Sequence, residues 1–147
     1  MTAEEMLDKG KDYLYGFGEE NKDYEKAIRY LFKALEAGSI EAISEIGCIY
    51  QYGRGVEKNK SKAVKWYRCG AELGDPSSMN ELADCLLKGI GMGKNIDEAI
   101  QWFEKASQIE VINDLSDEYC KWDSMLKIAE IYISLKDETK ALEWFET

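Results

Sequence analysis

The sequence predicts an all-α protein: an α–α superhelix, a right-handed solenoid of about four helix-turn-helix repeats. Three observations predict it. The chain aligns with itself at a shift of 36 residues. Apolar residues inside each aligned block recur at helical spacing. Only one proline, Pro76, interrupts 147 residues, and the alternating Thr/Val/Ile runs that mark strands are missing. A period of this length is the signature of stacked units, none of which can bury its apolar face alone.

The alignment is specific. Gly53 falls on Gly89, Gly55 on Gly91, Lys58 on Lys94, Asn59 on Asn95, Ala63 on Ala99, Trp66 on Trp102 and Tyr67 on Phe103. In the other direction Ala63 falls on Ala27, Trp66 on Tyr30 and Gly74 on Gly38. The expected units are about 2–38, 39–74, 75–110 and 116–147, forming one repeat domain with an insertion at about 111–123.

Each unit reads as helix A, a turn and helix B. In the first, Thr2 and Glu5 form a capping box. The first loop, Gly16-Phe17-Gly18, is one residue longer than the others. In the second, Ser39 is the expected N-cap after Gly38, and helix A carries Ile40, Ile43, Ile46, Gly47 and Tyr50. Tyr52-Gly53-Arg54-Gly55-Val56 breaks it, and helix B presents Ala63, Val64, Trp66, Tyr67, Gly70 and Ala71 before Gly74. In the third, Asp75 caps and Pro76 takes the first helical position, where a missing N–H costs nothing.

Asp23, Asn59, Asn95 and Asp137 each precede an alanine by four residues (Ala27, Ala63, Ala99, Ala141). An Asx side chain there caps helix B, and the alanine admits helix A closely. The aromatic that follows is expected to plug the gap between neighbouring units. The fourth unit keeps Ala129, Tyr132, Ala141 and Phe145 but replaces the glycine loop with a tight turn around Leu135-Lys136-Asp137.

Composition restricts the function. Lysine and arginine number 19 against 29 carboxylates, a net charge of −10. That field repels a phosphate backbone, so neither nucleic acid nor an anionic membrane is the expected partner. The start, MTAEEMLDKGKDY, has no basic region followed by an apolar run, and no stretch of apolar residues is long enough to span a bilayer. A cytoplasmic location is expected. Cys48, Cys69, Cys85 and Cys120 form no CxxC pair and histidine is absent, so free thiols and no metal or other cofactor are expected.

The run Ile46-Gly47-Cys48-Ile49-Tyr50, the loop Tyr52-Gly53-Arg54-Gly55-Val56-Glu57-Lys58-Asn59, and Lys62-Ala63-Val64-Lys65-Trp66-Tyr67 with Gly74 resemble the Sel-one-like repeat, a relative of the tetratricopeptide repeat. The third unit matches with Ala83 in place of the helix A glycine and Glu110 in place of the last one. The fourth is closer to a tetratricopeptide hairpin. The resemblance implies a superhelical adaptor or scaffold whose A helices line a concave face. A secreted cysteine-rich branch of that family is associated with β-lactam binding or hydrolysis, but the cysteines here do not recur at one repeat position.

Other signals have plainer readings. Lys88-Gly89-Ile90-Gly91-Met92-Gly93-Lys94-Asn95 lacks both the first glycine and the Ser/Thr of a phosphate loop and follows a helix. Its glycines are read as positive-φ positions of the repeat turn. Trp66, Tyr67, Trp102 and Phe103 are read as core packing and not as an aromatic cage. Without histidine, and with no Ser or Cys beside an evident base, catalysis is not expected.

Helix geometry selects a candidate binding face from the residues flanking the buried anchors of each helix A. These are Leu7, Lys11, Leu14 and Tyr15; Ser44, Cys48, Gln51 and Tyr52; Asn80, Asp84, Leu87 and Lys88; and Leu126, Glu130, Ile133 and Ser134. Asp84 and Glu130 favour a neutral or basic ligand. Cys48 is a candidate reactive thiol, with no cationic neighbour in sequence to activate it. The functional reading is a non-catalytic module binding a partner protein or peptide. Its rivals are a hydrolase-like or β-lactam-binding enzyme, by analogy with the cysteine-rich branch, and one segment of a larger repeat scaffold.

Overall fold

A computed structural model describes residues 1–17 and 21–108. The fourth unit, the 111–123 insertion and Asp137 lie outside the described residues. Among those described there are six helices and no strand: α1 (Ala3–Tyr15), α2 (Tyr24–Glu36), α3 (Glu41–Tyr52), α4 (Lys60–Glu72), α5 (Pro76–Lys88) and α6 (Ile96–Ser107). They pair in chain order as α1/α2, α3/α4 and α5/α6, and the hairpins stack through α2–α3 and α4–α5. This is an all-α repeat superhelix.

Helix starts follow the Asx rule. Asp23, Asn59 and Asn95 are extended N-caps whose side chains accept from the amides of Lys26, Lys62 and Glu98 at 3.0–3.1 Å. Their own amides donate backward to the carbonyls of Tyr13, Tyr50 and Leu86, each at 2.9 Å. One residue therefore caps helix B and ties it to helix A. Tyr50 and Leu86 are 36 apart, whereas Tyr13 is 37 before Tyr50, which is the extra residue of the first loop. Thr2 accepts from the Glu5 amide at 3.1 Å, as expected at the start of α1.

Ser39 does not cap α3. Ile40 takes the N-cap position in a helical conformation with no side-chain cap, and the Ile43 amide tightens the turn onto the Ile40 carbonyl. Asp75, the equivalent of Ser39 one period later, does cap α5, accepting from the amide (3.1 Å) and hydroxyl (2.5 Å) of Ser78. Pro76 makes the difference, because a residue before proline is forced out of the α region into the extended form a cap needs. No proline constrains Ser39.

The paired helices meet at a small residue facing a large one. A Cβ on Gly47 would lie 2.4 Å from the Tyr67 ring, and one on Gly10 would lie 2.9 Å from Leu31. The third unit places Ala83 opposite Phe103 at the equivalent positions, and Leu31, Tyr67, Ala83 and Phe103 are all fully buried.

The two consecutive aromatics divide the work expected of one. Tyr67 fills its own hairpin, and Trp66 reaches the preceding unit, meeting Phe32 edge-on with ring centroids 5.9 Å apart. Trp102 donates from its indole N–H to Glu98 at 3.3 Å, and Glu98 also accepts Arg68 of α4 at 3.0 Å.

The glycine loop joins units. Gly53 and Gly89 end α3 and α5 in the left-handed region, as expected. The second glycine also has positive φ, and it presses on the start of the preceding helix B. A Cβ on Gly91 would be 2.5 Å from the Lys60 carbonyl oxygen, and one on Gly55 would be 2.6 Å from Tyr24. Lys60 and Tyr24 are themselves one period apart.

Substituting Gly47→Ala should lower stability by about 1–3 kcal/mol in urea unfolding, the overpacking cost exceeding the gain in helix propensity. Asn59→Ala should cost about 1 kcal/mol through the lost cap.

Candidate functional site

The A helices lie side by side: α1 touches α3, and α3 touches α5. Each turns its small residue toward its own helix B and so presents another stripe on the open side of the layer.

The candidate residues divide by burial. Leu7, Leu14, Ser44, Gln51 and Asn80 are buried. Leu7 and Leu14 belong to the core of the first two hairpins, although Leu7 also lines, with Lys11, an open cleft between α1 and the start of α3. Ser44 donates back to the Glu41 carbonyl at 3.0 Å. Gln51 accepts from the Tyr67 hydroxyl at 2.7 Å, and that hydroxyl also lies 3.2 Å from Cys48 Sγ. Leu87 is half-buried against the core of the second and third units. Tyr15, Tyr52, Asp84 and Lys88 reach the accessible wall. Leu126, Glu130, Ile133 and Ser134 lie outside the described residues.

The structure draws Tyr15 and Tyr52 into one cluster. The Tyr15 hydroxyl donates to Glu45 Oε2 at 2.7 Å, joining α1 to α3. The Arg54 guanidinium lies over both rings, 5.8 Å from the centroid of Tyr15 and 5.1 Å from that of Tyr52. Phe17, 58% exposed, tilts against Tyr15 with centroids 5.4 Å apart. Tyr52 is 55% exposed. Burial, and then the negative charge of Glu81, raise the Tyr52 phenol, and Asp84 adds to this while Arg54 opposes it. Burial and Glu45 raise the Tyr15 phenol in the same way. Asp84 pairs with Lys88 one helical turn on, at 3.2 Å.

Glu45, Arg54, Phe17 and Glu81 were not among the residues selected by sequence. Arg54 and Phe17 sit in turns read only for their glycines. Tyr15 and Glu45 are 30 residues apart on different units, so no local spacing announces their bond.

Cys48 is not an activated thiol. Burial pushes it up to about 12, the negative charge of Glu81 adds to this, and the Tyr67 hydrogen bond opposes it. Cys85 is buried and also raised to about 12, while Cys69 is exposed. Among the described residues, no group of three or more Cys, Asp and Glu side chains is arranged to hold a metal ion. No described helix is long and apolar enough to cross a membrane.

The Sel1 repeat family matches residues 10–39, 40–75 and 76–108, and a tetratricopeptide repeat matches 123–147. The chain belongs to the Sel1 repeat family. This family is generally a protein-interaction scaffold.

Solved structures agree on the architecture. A Sel1 repeat protein from Oxalobacter formigenes superposes with a TM-score of 0.82 at 29% identity, over 98% of this chain and 55% of its own. A protective antigen of uropathogenic Escherichia coli strains, displaying an SLR fold, gives 0.73 at 27% identity, over 98% of this chain and 29% of its own. This Sel1 repeat chain thus spans about half the length of the first and under a third of the second. Cysteine-rich protein B of Helicobacter pylori gives 0.58 at 21% identity, over 81% of this chain and 96% of its own, which speaks to the fold alone. No curated protein matches.

In a Cys120→Ser background, Ellman's reagent at neutral pH should label Cys69 first. Half-buried Cys48 should react more slowly than Cys69 and buried Cys85 only at the rate of unfolding, both without the rise between pH 7 and 9 that an ordinary thiol shows.

Proposed function

We propose that this Sel1 repeat chain is a non-catalytic adaptor that holds a partner protein or peptide on the wall formed by its A helices. The observation that supports this most is the cluster of Tyr15, Tyr52, Phe17 and Arg54. Accessible aromatics and an arginine spanning two units are the residue types that anchor partners. A stacked array offers them on a rigid surface, so little ordering entropy is lost on binding. The absence of histidine from the chain removes the commonest general base.

The unit boundaries near 38, 74 and 110, and a cytoplasmic setting, belong to the same proposal. The longer solved relatives favour a second reading of the same kind, in which these hairpins are one segment of a larger scaffold.

Affinity capture with wild type, a Tyr52→Ala/Asp84→Ala variant and an outer-face Lys65→Ala/Glu72→Ala variant tests the face. The first pair should lose specifically captured proteins and the second should keep them. Equal capture by all three would remove the A-helix wall as the binding face.

A further inference from the structure

Charge is segregated between the two helix layers. Among the A helices, α1 has four carboxylates and two lysines, α3 two carboxylates and no cation, and α5 two carboxylates and one lysine. Among the B helices, α2 has two carboxylates and three cations, α4 one and four, and α6 three and one. The A layer is therefore net −5 and the B layer net +2, so charge is uneven between the two layers of the described helices.

Six of the eight A-layer carboxylates fall in two places. Glu4, Asp8 and Glu41 line the cleft with Leu7 and Lys11. Glu45, Glu81 and Asp84 belong to the aromatic cluster: Glu45 binds the Tyr15 hydroxyl, and the other two act on the Tyr52 phenol, Asp84 being also paired with Lys88. Inside that cluster the chain's own Arg54 demonstrates what the site accepts: a guanidinium over tyrosine rings in a negative field.

We propose that the A-helix wall selects a segment of its partner bearing arginine or lysine, one of whose cations docks against the exposed Tyr52, in the field of Glu81 and Asp84. This rests on the A-helix wall being the binding face. The long-range field draws a basic segment to the A layer, and Tyr52 confers a short-range contact that salt does not screen away.

The test uses the full chain and two fluorescein-labelled twelve-residue peptides, one alternating arginine with alanine and the other glutamate with alanine. Binding is followed by anisotropy at about 50 and about 150 mM NaCl. The arginine peptide should bind at least about tenfold more tightly than the glutamate peptide. Glu81→Gln/Asp84→Asn should weaken it by about fivefold or more, whereas Glu36→Gln/Glu72→Gln, which removes the same charge from the B helices, should change it less than about twofold. Tyr52→Ala should weaken it at both salt concentrations, and circular dichroism checks that each variant folds.

Equal losses from the two charge-neutralising pairs would reduce the effect to net charge and overturn the proposal, as would no binding of either peptide. Tighter binding of the glutamate peptide, still lost in Tyr52→Ala, would overturn the basic preference while leaving the A-helix wall as the binding face. Arginine-peptide binding lost only on the outer-face change would overturn both.

Discussion

The structure depends on one recurring constraint, the close crossing of helix A over helix B at a small residue. Where Gly47 stands against Tyr67 there is no room for another carbon, and Gly10 against Leu31 repeats the arrangement with an aliphatic knob. Ala83 against Phe103 is the third version. The close approach brings the Tyr67 hydroxyl within reach of Gln51 and Cys48, so a buried polar group finds an acceptor. It also decides which side of each A helix is consumed by packing. The residues left over form the wall.

Stacking uses different residues, at a different place. The second glycine of each loop rests on the beginning of the preceding helix B, and the half-buried Trp66 leans on Phe32. Contacts within a hairpin and between hairpins are thus served by neighbouring positions of one motif. A chain built this way has an interior set by nearest neighbours and gains accessible surface in increments, one helix A per unit.

The proposed function rests on what the packing does not use. Tyr52 and Phe17 lie at the ends of helices, just where the chain leaves the core for the turn, and so remain exposed. Arg54, held between the two loop glycines, is turned back over Tyr15 and Tyr52 and joins two units at the surface. The same turn that docks one hairpin on the next therefore also shapes the accessible cluster. Half-buried Cys48 illustrates the opposite case: its position in the A helix suggested a groove thiol, but it packs against the core and its thiol is raised by partial burial and by Glu81.

The sequence by itself determined the helical repeat, its period, the Asx caps and the left-handed loop glycines, whereas the pairing of a small helix A residue with a large helix B residue emerged only in the structure. The former are local or strictly periodic, and each reduces to backbone sterics or to hydrogen bonds that a helix end must satisfy. Only the tertiary structure decided that Ser39 leaves α3 uncapped, that Trp66 and Tyr67 part company, that Leu7 and Leu14 are core, and that Tyr15, Glu45, Tyr52 and Arg54 meet. The reason is physical. Flanking positions of a helix differ by only a small rotation, and whether one is buried depends on how far the next unit turns as it stacks. That turn is the sum of many side-chain contacts between units and leaves no trace in the spacing of any one of them.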